Sequence, residues 1–172
     1  MSESVEEELR IMDERAAEDP HEHLEEALDQ LCTRPAVCVD IASNLEETIA
    51  LMRQNSFGAV IVTDGGKLAG IFTERDLLTR VVGTITDLRS CPLADVMTKD
   101  PETLQLGDKI IFVMNMMHVG GYRHVPVVDE ENRPLHIISI KDVMAFVLEP
   151  IHDKIVSIPP GPFRGRSGQH GG

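Results

Sequence analysis

Apolar positions along residues 35 to 148 alternate between short continuous runs and a spacing of three to four residues. The first pattern suits buried strands and the second suits one face of a helix. The runs Ala59-Val60-Ile61-Val62-Thr63-Asp64 and His124-Val125-Pro126-Val127-Val128-Asp129 each predict a strand ending at a turn acid. Before each run lies a helical stripe, Leu45, Thr48, Ile49 and Met52 in one case, Ile110, Val113, Met114 and Met117 in the other. The turns Gly65-Gly66-Lys67 and Glu130-Glu131-Asn132-Arg133 then lead to strands Leu68 to Phe72 and Leu135 to Ile138. Both halves close on a hydroxyl residue, two spacers, an Asp and a helix: Thr73-Glu74-Arg75-Asp76 and Ser139-Ile140-Lys141-Asp142.

These coincidences arise when the chain is laid on itself at a shift of 65 to 66 residues, which also sets Pro35 on Pro101 and Val37 on Thr103. Each copy reads strand, helix, strand, tight turn, strand, helix. One such unit is too small to cover both faces of its sheet. The predicted fold is therefore α/β, two β-α-β-β-α repeats packed sheet to sheet as one pseudo-twofold module with a cleft between them. The expected organisation is an acidic helical N-terminal extension (1–31), a first repeat (32–83), a linker (84–97), a second repeat (98–148) and a largely flexible tail (149–172). In the extension, Val5, Leu9, Met12 and Ala16 predict one helix, and Asp19-Pro20 opens a second whose stripe is Leu24, Ala27, Leu28 and Leu31. The tail from Pro159 holds three Pro and five Gly in fourteen residues, a composition that builds no core.

Charge narrows the range of partners. Of the net −13, the first thirty residues carry −10, from twelve acids against Arg10 and Arg15. No basic stripe with interleaved aromatics is present, so nucleic acid is excluded as the expected partner. The three cysteines, Cys32, Cys38 and Cys91, lack C-x-x-C spacing and suggest reduced thiols. No apolar run approaches a membrane span and the N-terminus is acidic, so the expectation is a soluble cytoplasmic protein without membrane insertion. There is no nucleophile elbow, P-loop or zinc-hydrolase helix, and no residue set is assigned to a metal or a catalytic cofactor.

The two closing boxes carry the candidate chemistry. A single Thr/Ser-x-x-Asp at a helix start is a cap. Two at equivalent points of a repeat, each with a cation just before the Asp, favour a site. An ionised Asp accepts both vicinal hydroxyls of a ribose, while the neighbouring hydroxyl residue and cation face a phosphate beside free helix N–H groups.

On these boxes, and on the strands Gly58 to Asp64 and Arg123 to Asp129, residues 32 to 148 resemble the cystathionine β-synthase (CBS) domain pair, or Bateman module. The resemblance implies an adenosine ligand such as AMP, ADP, ATP, S-adenosylmethionine or NAD, bound between the copies and regulating a partner protein. It places Asp142, Ser139 and Lys141 at the ribose and phosphate end of one site, with Arg123 and His124 as phosphate contacts and Val37, Phe57 and Ile137 around the base. The second site takes Asp76, Thr73 and Arg75, with Thr103, Tyr122 and Ile71 around the base. Because Arg123, His124 and Lys141 cluster by the first site, that site is expected to bind phosphorylated ligands more strongly. His136 stands where the family has Gly, which implies a looser approach of the neighbouring strand there. Leu51, Phe112 and Met116 exceed the stripe each helix needs, so a homodimer is expected. The rival readings are a purely structural homodimerisation module, with the boxes as caps, and an enzyme using a cysteine.

Overall fold

The computed structural model describes residues 22–32, 34–149, 152, 156 and 157. The first predicted N-terminal helix and the tail from Pro159 lie outside the described residues.

Strand β1 (Cys38–Asp40) leads to α1 (Leu45–Asn55), then β2 (Ala59–Asp64), β3 (Lys67–Thr73) and the helical turn α2 (Glu74–Asp76), which continues as a π-helix over Leu77–Val81. Asn44 caps α1 by accepting from the Glu47 N–H at 2.8 Å, and Ser56 ends it in the left-handed region. The β2–β3 turn needs two residues at positive φ, supplied by Gly65 at 56° and Gly66 at 81°. After β3 come α3 (Leu93–Val96), β4 (Thr98–Lys99), α4 (Ile110–Val119), β5 (His124–Val128), β6 (Pro134–Ser139) and α5 (Ile140–Leu148). The first strand of the second copy is reduced to a parallel bridge between Leu104 and Val127.

One sheet has the order β1-β2-β3-β4, and β5 pairs with β6 in the other. The copies match even in their irregularity, since the antiparallel register slips at Val62/Thr63 in one and at Val127/Val128 in the other. Val60, Val62 and Phe72 pack under α1 with Leu45 and Met52. Val125, Val127 and Ile138 do the same under α4 with Ile110, Val113 and Met117. On the opposite faces Ile61 and Leu68 meet Val128, with Ala36 and Ile137 alongside, which is the sheet-to-sheet contact expected of the repeat. Leu68 and Asn132 add two hydrogen bonds across it, at 2.8 and 3.2 Å.

The copies also exchange strands. Strand β4 leads into the second copy but pairs with Gly70 and Ile71 of the first. Symmetrically, Pro35 precedes the first copy but bridges His136 of the second, and the Ala36 N–H donates to the Leu135 carbonyl at 3.0 Å. Residues 84–97, expected as a linker, place Leu93, Val96 and Met97 in the first core.

The second N-terminal helix differs from expectation. Its described part is two 3-10 turns, Glu22–Glu25 and Leu28–Gln30. The backbone breaks between them because it bonds outward. The Ile110 N–H donates to the Glu26 carbonyl at 2.9 Å, and the Leu28 N–H donates to the Asp108 carbonyl at 2.8 Å. These bonds, with a Lys109–Glu25 ion pair, serve the uncapped start of α4, and they seat Leu28 and Leu31 in the second core.

Candidate functional site

Both boxes fold as reciprocal caps around their Asp. At the end of β3 the Thr73 N–H and hydroxyl donate to Asp76 Oδ2 at 3.0 and 2.7 Å. At the end of β6 the Ser139 N–H and hydroxyl donate to Asp142 Oδ2 at 2.7 and 2.6 Å. The carboxylates differ in what meets Oδ1. Asp76 receives the Thr98 hydroxyl at 3.0 Å and lies 3.5 Å from Arg80 Nε, whereas Asp142 receives the exposed Arg34 guanidinium at 3.2 Å. An exposed ion pair of this kind contributes at most about 1 kcal/mol.

A cleft of about 400 Å³ opens at the Asp76 end of the interface between copies. Ile71, Pro101 and Tyr122 supply apolar wall, and Thr73 and Asp76 stand with Thr98 at the polar end. The Tyr122 ring folds over Gly120, where a Cβ would come within 2.4 Å of it. From the other copy Arg123 and His124 complete the lining, with the His124 ring packed on Gly58, 3.1 Å from where a Cβ would stand. Burial holds the His124 imidazole below its ordinary pKa, despite the opposing pull of the Glu74 and Asp142 carboxylates. The ring is therefore neutral at pH 7.

Of the residues singled out from sequence, the cleft brings together Asp76, Thr73, Arg75, Ile71, Tyr122, Arg123 and His124. Arg123 and His124, expected to serve Asp142, line the cleft of Asp76, while the Asp142 carboxylate also acts on the His124 ring. The reason is non-local: Arg123 precedes β5 and His124 opens it, and packing of the two sheets turns this end of β5 toward Gly58 and Glu74 of the first copy. Asp142, Ser139, Lys141, Ile137, Val37, Phe57 and Thr103 line neither this cleft nor a second cavity on the outer side of β3 and β4. Val37 packs on the first core, and Ile137 lies between the sheets. Arg75, expected at a phosphate, lines the cleft but donates to the Gly121 carbonyl at 3.1 Å.

Sequence reasoning missed Thr98, Asp100, Pro101, Glu102, Glu74 and Arg80. The first four arrive on the crossing segment around β4, which shows no motif. Arg80 lies one turn beyond Asp76, and that spacing was a usable signal.

The thiols offer no nucleophile. Burial, with the Asp29 and Asp142 carboxylates, pushes the Cys32 thiol up to about 11, and burial also raises Cys38 and Cys91. All three stay protonated at neutral pH. No helix among the described residues is long and apolar enough to cross a membrane.

A family model described as the CBS domain matches residues 28–83 and 93–149. Among solved structures, a CBS-domain-containing protein from Agrobacterium tumefaciens is 36% identical with a TM-score of 0.60, over 68% of this chain and 92% of that one. A CBS domain protein from Pyrobaculum aerophilum, complexed with AMP, is 24% identical with a TM-score of 0.65, over 74% of this chain and 99% of that one. A CBS domain-containing protein of Arabidopsis thaliana is 34% identical over 51% of this chain. The chain spans 16% of that relative's length, so the match is to a module of a much larger protein.

Proposed function

The chain belongs to the CBS domain family, carrying two CBS domains in tandem, and from that premise we propose that it binds an adenosine ligand in the Asp76 cleft and signals its presence to a partner protein. Tandem CBS domains are regulatory modules, and no enzymatic family is indicated for this chain. One observation carries the reading: a buried carboxylate, an apolar slot and the Arg123 guanidinium of the opposite copy converge on one cleft between the repeats. Asp76 receives the ribose hydroxyls, the base lies against Ile71, Pro101 and Tyr122, and a 5′ phosphate meets Arg123. Ligand that touches both copies stabilises the arrangement in which they close on it.

Thermal denaturation in the presence of AMP, the ligand held by the Pyrobaculum protein, tests this. At a hundred times the dissociation constant the melting temperature should rise by about 5 to 10 °C. No shift with AMP, adenosine, ATP or S-adenosylmethionine would leave both boxes as caps and the protein as a structural module.

Self-association is the second part of the proposal. Of the three residues expected to mark a dimer face, Leu51 and Met116 pack partly against the cores, and Phe112 is 50% exposed. Exposed apolar side chains also stand on α4, at Ile111 and Val119, and on α5, at Met144 and Val147. A second copy covering them keeps them from water. Light scattering at micromolar concentration should give twice the chain mass, and a monomer would remove this part.

A further inference from the structure

The Asp76 carboxylate is held from two sides. Its Oδ2 belongs to the local cap, whereas Oδ1 depends on the Thr98 hydroxyl at 3.0 Å and on Arg80, whose Nε stands 3.5 Å away. Thr98 lines the cleft and Arg80 does not. Arg80 lies in the π-helix Leu77–Val81, a kind of turn frequent at functional sites. From there its guanidinium reaches three successive residues of the crossing segment. Nη1 donates to the Val96 carbonyl at 3.1 Å and to the Met97 carbonyl, and Nη2 donates to the Thr98 hydroxyl at 3.3 Å.

These bonds have a direction. A hydroxyl has one proton to give, and a guanidinium accepts none. With Arg80 donating to it, the Thr98 oxygen turns its proton to Asp76 Oδ1. Arg80 thereby sets the orientation of Thr98 and, through it, of the carboxylate oxygen that the cap leaves unfixed. Capping does not require this arrangement. The matching box of the second copy closes the same reciprocal cap around Asp142 with Phe146, packed on the second core, in the place of Arg80.

We propose that Arg80 is a positioning residue for the ligand: without touching it, Arg80 holds the Thr98 hydroxyl and Asp76 Oδ1 in the arrangement that receives the ribose hydroxyls. The inference rests on the adenosine reading above. If Arg80 only anchored the crossing segment, its loss would disturb the whole wall, Pro101 included, and would weaken ligands with and without ribose hydroxyls alike. Positioning of the acceptors affects only the ligands that carry those hydroxyls.

Calorimetric titration of the full chain with AMP and with its dideoxy analogue, which lacks both ribose hydroxyls, separates the two roles. In the parent protein AMP should bind roughly tenfold or more tightly than the analogue, because hydrogen bonds to a carboxylate are charge-assisted. Arg80→Lys keeps the positive charge, but one nitrogen cannot stand at both Nη1 and Nη2, so the gap should shrink to about threefold or less, with the affinity for the analogue nearly unchanged. Thr98→Val leaves the Arg80 bonds to the Val96 and Met97 carbonyls available and should shrink the gap in the same way. Circular dichroism first shows that each variant is folded, and Thr98→Val decides the matter if Arg80→Lys does not fold. An unchanged gap in either folded variant, or equal weakening of AMP and the analogue, would overturn the proposal while leaving the adenosine reading intact. Equal affinity for the two ligands in the parent protein would overturn the ribose assignment and the positioning role with it, and failure of the parent to bind AMP at all would overturn the adenosine reading.

Discussion

Asp76→Ala should weaken AMP binding by about five-fold to a hundred-fold, corresponding to roughly 1 to 3 kcal/mol for charge-assisted hydrogen bonds to the ribose. Asp142→Ala should change it much less, because Asp142 faces Arg34 and lies outside the cleft. Asp76 is buried and also serves the structure, holding the Thr73 cap and accepting from Thr98. The alanine variant therefore loses a cap worth about 1 kcal/mol and leaves the Thr98 hydroxyl without its acceptor. Asp76→Asn separates the two roles. The amide oxygen in place of Oδ2 still accepts from the Thr73 N–H and hydroxyl, so the cap persists, while an NH2 replaces Oδ1 opposite Thr98 and Arg80 and the ribose loses a charged acceptor. Calorimetric titration with AMP, after circular dichroism has shown each variant to be folded, decides the matter. Unchanged affinity in Asp76→Asn would sink the assignment of the ribose to this residue.

Gly70→Val should lower stability by about 3 kcal/mol, near the upper end for overpacking, and weaken AMP binding at the same time. A Cβ at Gly70 would stand 2.6 Å from Met97 Sδ and 2.8 Å from the Thr98 carbonyl oxygen. The Met97 side chain can yield. The Thr98 carbonyl cannot, because it belongs to the backbone of β4 paired on Gly70 and Ile71. Strand β4 must then move off β3, carrying the Thr98 hydroxyl from Asp76 and the Asp100-to-Glu102 wall from the cleft. At the matching position of the other copy a His is accommodated, its Nδ1 donating to the Arg34 carbonyl at 2.8 Å. His136→Ala should therefore cost much less than Gly70→Val. Thermal melts of both variants test the pair, and a Gly70→Val protein melting within 1 °C of the parent would show that β4 does not need the close approach.

The same pair of positions shows where sequence reasoning stopped. Gly70 was readable as part of a family-like strand ending, and His136 as its departure. That the departure comes with Arg34 on Asp142, and that a cleft opens at Asp76, follows from two crossing segments around Pro35 and Thr98. Neither segment has a periodicity long enough to place it. The broken helix at Glu26 has the same origin, since its carbonyl and the Leu28 N–H bond to the approach of α4, far along the chain. The π-helical continuation Leu77–Val81 follows Asp76, whose carboxylate faces both Arg80 and Thr98, and only the second of these contacts is distant in sequence.

What the sequence determined by itself was the repeat: the strand runs, the helical stripes, the Gly65-Gly66 turn and the two Asp-centred caps. Each is set by contacts within a few residues or by a period of two or 3.6, so the local chain carries it. What lines the Asp76 cleft was decided by tertiary structure. That lining depends on strands exchanged between copies and on sheet packing that brings His124 to Gly58 and Glu74, and hydrophobic patterning specifies that a face is buried without specifying what it meets.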